Sequence, residues 1–221
     1  MVVLATKCYV EGDACERALD SLASLVENDV GGLDVTFDVG VRDDDFPSVT
    51  VEGADATAAR NLLRERWGEI TPHLESGGQY AGTLERWDED GVVLDAGRSV
   101  RVPRDELGLG PGDPGQIRTR FGLVQHVPLR FVAGDPPRLA DAERDRLYGW
   151  TRENGRVNVN SATRAEVRAT VNRAGHADDI VTVERLGLLE QSIVTREGTD
   201  PPGLLASIGG YLPAELLCVV P

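Results

Sequence analysis

Several residue types that carry chemistry are scarce in this chain of 221 residues. It contains three cysteines, three histidines, one methionine and a single lysine, Lys7. The cysteines Cys8, Cys15 and Cys218 include no CxxC pair, and the histidines have no HExxH or other metal-ligand spacing. We therefore expect buried thiols rather than a disulfide framework, and no metal site.

Long apolar runs and nucleotide-binding motifs are also missing. Leu216–Val220, one of the longest apolar runs, is far too short to span a bilayer. The first residues have no basic region and no small-residue cleavage site, so no secretion signal is expected. There is no GxxxxGK[ST], no GxGxxG, no nucleophile triad and no motif that reads DNA sequence. These absences predict a cytoplasmic protein without a membrane partner, an enzymatic activity or a cofactor.

The charged residues are unbalanced in both sign and type. The chain has 37 acidic and 23 basic residues, a net charge of −14, and all basic residues except Lys7 are arginine. A surface rich in aspartate and poor in lysine is typical of proteins adapted to molar salt, and the composition favours a halophilic archaeal cytoplasm. Residues 1–76 carry a net charge of −10, whereas residues 77–135 and 136–221 carry −2 each. An anionic partner is therefore expected to meet the middle or C-terminal segment.

The first segment, residues 1–76, has a β-α-β-β-α pattern. An apolar run at Val2–Val10 predicts a strand, and apolar residues at helical spacing between Ala14 and Val26 predict a helix. Alternation over Val35–Val41 and a return at Val49–Val51 predict a hairpin. Asp55 is expected to cap a second helix. The apolar face predicted for that helix consists of Ala58, Leu62, Leu63 and Ile70. This order predicts an acidic α+β module of ferredoxin-like architecture.

The second segment, residues 77–135, is predicted to be entirely β. The expected strands are Tyr80–Trp87, Gly91–Asp95, Ser99–Pro103, Ile117–Gly122 and Val124–Val132. Five short strands in under sixty residues favour a small closed barrel, because closure leaves no exposed sheet edge.

Three motifs of this segment carry a resemblance. Ala81-Gly-Thr-Leu84, Asp90-Gly-Val-Val-Leu-Asp95 and Gly110-Pro-Gly-Asp113 occur in the order found in S1-type barrels of the OB fold, which the segment resembles. The resemblance implies an oligonucleotide surface around the second and third strands. S1 domains usually carry aromatic side chains there, whereas this chain has valine and leucine.

The third segment, residues 136–221, begins with a linking helix between Leu139 and Trp150 and continues as β-α-β-β-α-β. Thr163 and Glu166 form a capping-box pattern, and Asp200 precedes two prolines at a predicted helix start. The order of elements is like that of the first segment. The runs Asp178–Glu190 and Thr199–Gly209 make the whole chain resemble the archaeal domain-of-unknown-function family 2110. That family implies an archaeal origin and brings no established activity.

The candidate binding residues lie in the middle segment. They are Arg98, Arg101, Arg104, Arg118, Arg120 and Arg130, with Tyr80, Trp87 and Phe121 as candidate stacking residues. On a strand, Arg118 and Arg120 would point to the same side. Guanidinium groups there could pair with phosphates. Alternatively, these arginines pair with nearby carboxylates such as Glu85, Asp105 and Glu106. His126 lies in an apolar run and is expected to pack rather than to catalyse.

The sequence favours RNA or a ribonucleoprotein as the partner, in translation or RNA processing. The alternatives are a protein-interaction adaptor that docks on a larger complex, and a regulatory protein whose third segment senses a small metabolite. The sequence does not decide between these alternatives and RNA binding, because it contains no motif specific for RNA, for a protein partner or for a metabolite.

Overall fold

The computed structural model describes residues 1–221 and has a mixed α+β fold with three antiparallel sheets of three, five and four strands. Each sheet has its own apolar core. The α+β class predicted from the sequence is therefore confirmed. None of the helices combines the length and apolar character needed to cross a membrane.

The N-terminal module packs two helices against a small sheet. Its elements are β1 (Val2–Val3), α1 (Asp13–Val30), β2 (Val35–Val41), β3 (Pro47–Gly53) and α2 (Ala56–Trp67). The strand order is β1-β3-β2, and both pairs are antiparallel. Helix α2 buries Leu63 as expected, but Ala58 is exposed and Ala59 is buried in its place. The predicted cap is also wrong: the Asp55 carboxylate accepts a hydrogen bond from the Asp34 amide at 2.9 Å instead of capping α2.

The first strand is much shorter than predicted. Only Val2 and Val3 pair with β3, and Leu4 forms one further antiparallel bridge to Glu69 on the other side. The following residues leave the sheet; the Cys8 amide still donates to the Asp45 carbonyl between β2 and β3, but several side chains bond to the other two modules. For example, the Leu188 amide donates to Thr6 Oγ1 at 2.7 Å.

The central module is a curled five-stranded sheet that resembles half of a barrel. Its elements are β4 (Gln79–Asp88), β5 (Gly91–Asp95), β6 (Ser99–Pro103), α3 (Arg104–Leu107), α4 (Pro114–Phe121), β7 (Pro128–Val132) and β8 (Arg138–Leu139). The strand order is β6-β5-β4-β7-β8, with every pair antiparallel. The β4–β5 hairpin turns at the predicted place, between Asp88 and Gly91.

The strand predicted at Ile117–Gly122 is wrong, because α4 occupies these residues. Asp113 and Gln116 form a complete capping box, Pro114 occupies the first turn, and Gly122 at φ 61° ends the helix. Ile117 and Phe121 are four residues apart, so one helical face buries both as effectively as a strand would. The strand predicted at Val124–Val132 is confined to β7.

The C-terminal module contains the linking helix and a second α/β unit. Its elements are α5 (Asp141–Trp150), β9 (Arg156–Val159), α6 (Arg164–Arg173), β10 (Ile180–Arg185), β11 (Gln191–Thr195), α7 (Pro201–Ile208) and β12 (Leu216–Val219). The predicted caps form: Thr163 and Glu166 exchange both bonds of the capping box, and Asp200 accepts from the Gly203 amide. Leu147 and Trp150 of α5 pack into the core of the central module.

The two flanking modules have the same arrangement of strands. In the C-terminal module the order is β10-β11-β9-β12, so the third strand of the unit lies between the second and the first. In the N-terminal module β3 lies between β2 and β1 in the same way, and the Leu4–Glu69 bridge takes the position of a fourth strand. The similarity expected from element order therefore extends to sheet topology.

Candidate functional site

The six candidate arginines do not form one surface, and three of them already have partners. Arg101 pairs bidentately with Asp88, at 2.6 and 2.7 Å, and this hydrogen-bonded pair lowers the Asp88 pKa to about 2. Arg120 donates to the Leu109 and Pro111 carbonyls. Arg98 and Arg104 are exposed and make no ion pair. Arg98 and Arg101 line a separate cavity of about 440 Å³.

Arg118 lies inside the molecule, where it joins two modules. Its guanidinium group stacks 3.8 Å from the centre of the Trp87 ring and pairs with Glu215, which also accepts from the Gln125 amide at 2.8 Å. Because α4 is a helix, Arg118 and Arg120 do not share a strand face as predicted. Arg118 therefore stabilises the contact between the central and C-terminal modules.

The candidate stacking residues pack against the central module, although Tyr80 also lines a cavity beside Arg130. Phe121 is 1% exposed and packs edge-on against Tyr148. Tyr80 is half-buried, packs against Phe131, and accepts a hydrogen bond from the Glu75 amide through its hydroxyl oxygen at 2.9 Å. These aromatic rings serve mainly to pack the central module.

Arg130 lines a cavity together with three arginines from outside the predicted set. This cavity has a volume of about 370 Å³, and its charged lining consists of Arg66, Arg130, Arg146, Arg185 and Glu143. We call it the arginine cleft. Glu143 pairs with Arg146, and Arg66 pairs with Asp29 outside the cleft at 3.1 Å. Arg130 and Arg185 make no ion pair, so two cationic groups are left without an acidic partner.

Arg185 is a partly buried cation of the cleft. Its guanidinium group is half-buried 4.6 Å from the centre of the Trp67 ring. Burial lowers the Arg185 pKa; Asp29 opposes this effect, and the positive charges of Arg164 and Arg66 add to it. A bound anion would offset both the loss of hydration and the repulsion between the arginines.

Two further cavities adjoin the arginine cleft, and we call the three together the groove. One, of about 720 Å³, shares Arg146 and Arg185 with the cleft, and the other, of about 590 Å³, shares Arg130. Both outer cavities contain carboxylates as well as arginines. The arginine cleft has four arginines and one carboxylate, against four and three in the first outer cavity and two and two in the second, so it is the most positive of the three.

Comparison with family models assigns each part of the chain. The DUF2110 N-terminal domain matches residues 1–73, the DUF2110 central domain residues 74–151, and the DUF2110 C-terminal domain residues 154–220. The chain belongs to the DUF2110 family. The comparison with curated proteins found no match. In this DUF2110 protein the arginine cleft takes residues from all three matched regions.

Behind the cleft, the same DUF2110 domains meet in a set of polar contacts that we call the junction network. It consists of Lys7, Tyr9, Glu85, Asp95, His126 and Glu190. Lys7 Nζ lies 2.9 Å from Asp95 Oδ2 and 3.1 Å from Glu85 Oε1. Burial alone would lower the Lys7 pKa, but these carboxylates raise it. Burial alone would raise the Glu85 pKa, but hydrogen bonds from His126 and Thr83 and the Lys7 charge lower it to about 2.

His126 is part of this network and not of an apolar strand as predicted. It lies in a turn with φ 66°, with its ring centre 4.1 Å from that of Tyr9 and its Nδ1 3.3 Å from Glu85 Oε1. The packing role expected from the sequence is compatible with this position. The partners of His126 are Glu85 in β4 and Tyr9 in the segment after β1, so no local sequence pattern predicts these contacts.

Glu190 lies at the C-terminal end of the junction network and is fully buried. Its Oε1 accepts from the Tyr9 hydroxyl at 2.8 Å, and the Ser161 amide donates to the same Tyr9 oxygen at 2.9 Å. Glu190 Oε2 has no hydrogen-bond partner. Burial raises the Glu190 pKa to about 8, so the carboxyl is protonated near neutral pH in the folded DUF2110 chain.

Sequence reasoning missed Arg66, Arg146, Arg185 and Glu190 as members of shared sites. They lie in different segments, and only the tertiary structure brings them together. Lys7 did give a signal, because it is the single lysine and it lies within an apolar run. Such a residue is buried only when carboxylates from elsewhere in the chain pair with it.

Proposed function

We propose that the protein binds RNA in translation or RNA processing, with backbone phosphates in the arginine cleft. The observation that carries this proposal is the lining of the cleft: four arginines and one carboxylate, in a chain of net charge −14. Phosphates suit this lining because guanidinium groups donate paired hydrogen bonds to them and remain charged at all relevant pH values.

The shape of the groove favours a polymer over a single small anion. Three cavities follow one another, and Arg130, Arg146 and Arg185 lie where neighbouring cavities meet. A nucleic-acid strand has phosphates at regular intervals and could contact the middle cavity while extending into both outer ones. The proposed interface therefore includes Arg130 from the sequence-based set, with Arg66, Arg146 and Arg185 added.

The proposal includes a finer assignment of the three modules. The strand order β6-β5-β4-β7-β8, with α4 between β6 and β7, supports an S1-like OB module in the centre. The β-α-β-β-α-β order of the C-terminal unit, and the matching strand arrangement of the N-terminal module, support ferredoxin-like modules. OB folds commonly bind single-stranded nucleic acid. We also propose that the protein works in the salt-rich cytoplasm of a halophilic archaeon, as its acidic, lysine-poor composition suggests.

The test removes the two arginines of the cleft that have no ion pair. In the Arg130→Gln/Arg185→Gln variant, affinity for a labelled single-stranded RNA of about 12 nucleotides is expected to fall about tenfold or more, since two phosphate contacts are lost. Each lost contact also flattens the dependence of log K on log salt by about 0.7, so the slope is expected to fall by about 1.4. Fluorescence anisotropy over a KCl series measures both quantities.

The matched control is Arg98→Gln/Arg104→Gln, which removes the same charge from exposed, unpaired arginines outside the cleft. It is expected to change the affinity less than about twofold and to leave the slope unchanged. Circular dichroism at each salt concentration establishes that all variants are folded. Absence of wild-type binding, or an equal loss in both variants, would contradict the proposal. Cellular partners that survive RNase treatment would favour the adaptor instead.

A further inference from the structure

Two of the three cysteines lie side by side. Cys8 Sγ and Cys15 Sγ are 3.3 Å apart, whereas Cys218 lies on β12 in another module. A disulfide has an S–S length of about 2.05 Å, so the two sulfur atoms need to approach by little more than 1 Å. The sequence predicted buried thiols, but only Cys8 is buried and Cys15 is partly exposed.

We propose that Cys8 and Cys15 form a reversible thiol–disulfide site that exchanges with low-molecular-weight disulfides. The two thiols are on different elements, Cys8 in the segment after β1 and Cys15 in the first turn of α1. The loop between them includes Gly12, at φ 56°, where even an added side chain would meet no atom within 4 Å. This open loop can take up the small movement that bond formation requires.

The surroundings assign different roles to the two thiols. Cys15 is partly exposed, whereas Cys8 is 3% exposed. Burial, with a smaller effect from Cys15, raises the Cys8 pKa to about 12, so Cys8 stays protonated at neutral pH. We therefore assign Cys15 as the thiol that attacks the external disulfide. Cys8 is then the thiol that attacks the resulting mixed disulfide on Cys15.

The exchange balances without any other reactant. The Cys15 thiolate attacks one sulfur of the external disulfide, which releases one thiolate and leaves a mixed disulfide on Cys15. Cys8 then gives up its proton and attacks Cys15 Sγ, which releases the second thiolate. The protein pair is oxidised by two electrons, the external disulfide is reduced to two thiols, and the two protein protons go to those thiols.

The site is adjacent to the junction network. Cys8 is flanked by Lys7 and Tyr9, which bond to Asp95 in the central module and to Glu190 in the C-terminal module. A bond to Cys15 would tie this segment to α1. The proposal does not depend on RNA binding, because it rests on the thiol geometry alone.

The test maps the thiols of the full chain after exposure to oxidised glutathione. The protein is quenched with acid, denatured so that buried thiols become accessible, alkylated, and analysed by peptide mass spectrometry. The expected result is that Cys8 and Cys15 are both protected and joined in one disulfide-linked species, while Cys218 is fully alkylated. Dithiothreitol should restore alkylation of all three.

The variants separate the two steps. Cys8→Ser is expected to accumulate a glutathione adduct on Cys15, since no resolving thiol remains, and Cys15→Ser should leave Cys8 free for alkylation. Cys218→Ser is the control and should form the same internal bond as the wild type. Three free thiols after treatment, a stable glutathione adduct on wild-type Cys15, or a bond that includes Cys218 would overturn the proposal.

Discussion

Replacement of Lys7 by methionine is expected to lower the free energy of unfolding by about 3 kcal/mol, the lower end of what breaking a buried ion pair costs. The side chain of Lys7 is 9% exposed and pairs with two carboxylates that are 26% and 28% exposed. Without the ammonium group, Glu85 and Asp95 keep their charges in a partly dehydrated site. Their remaining access to water keeps the loss from being larger.

Urea unfolding at pH 7, followed by circular dichroism, measures this loss as a change in the midpoint. The control is Arg42→Met, which removes a cation of the same module from an exposed pair with Asp44. That pair should contribute less than about 0.5 kcal/mol. Equal stabilities of the Lys7 and Arg42 variants would show that the junction network does not hold the modules together.

Acid should weaken the same network. The folded-state pKa of Glu85, about 2, lies below its ordinary value of 4.5. Its contribution to stability is therefore complete above about pH 4.5 and is lost as the pH falls towards 2. In the Lys7→Met variant this part of the acid dependence should be smaller, because one of the groups that lowers the Glu85 pKa is gone.

Replacement of Glu190 by glutamine is expected to stabilise the protein at alkaline pH. The folded-state pKa of Glu190, about 8, lies above its ordinary value of 4.5, so the unfolded chain releases this proton more readily. Wild-type stability therefore falls as the pH rises from about 4.5 to 8. Glutamine imitates the protonated carboxyl and can still accept the Tyr9 hydrogen bond. The advantage of the variant over the wild type should be about 3 kcal/mol larger at pH 8 than at pH 5, where it should stay below about 1 kcal/mol.

Unfolding midpoints at pH 5 and pH 8 provide the comparison. The matched control is Glu197→Gln, which changes an exposed carboxylate and should give the same small difference at both pH values. A Glu190→Gln variant that loses stability equally at both pH values would indicate that the native carboxylate is charged and favourably solvated, contrary to its burial.

Local signals predicted the C-terminal module well. The bonds of Thr163 with Glu166 and of Asp200 with Gly203 are made within three residues, so the sequence contains both partners. The hairpin at Asp88–Gly91 is similarly local. Such features depend on short-range geometry and can be predicted without knowledge of the tertiary structure.

The predictions from the sequence that were wrong or incomplete have two kinds of physical cause. At Ile117–Phe121 the same apolar residues satisfy either a strand or a helix, and the capping box before them decides for the helix. After Leu4 the chain leaves its sheet, and the side chains of Thr6, Lys7 and Tyr9 bond to partners in the other modules, which no local pattern indicates. The arginine cleft is of this second kind, since Arg66, Arg130 and Arg185 come from three segments and no spacing connects them.

The burial of the single lysine gives the molecule a built-in chemical reporter. Lys7 has the only side-chain amine in the chain, and that amine is held between two carboxylates where the modules meet. An amine-specific acylating reagent can modify it only when the modules separate locally. The rate of Lys7 acylation would therefore measure how often the modules separate at the junction network, and no engineered label is needed.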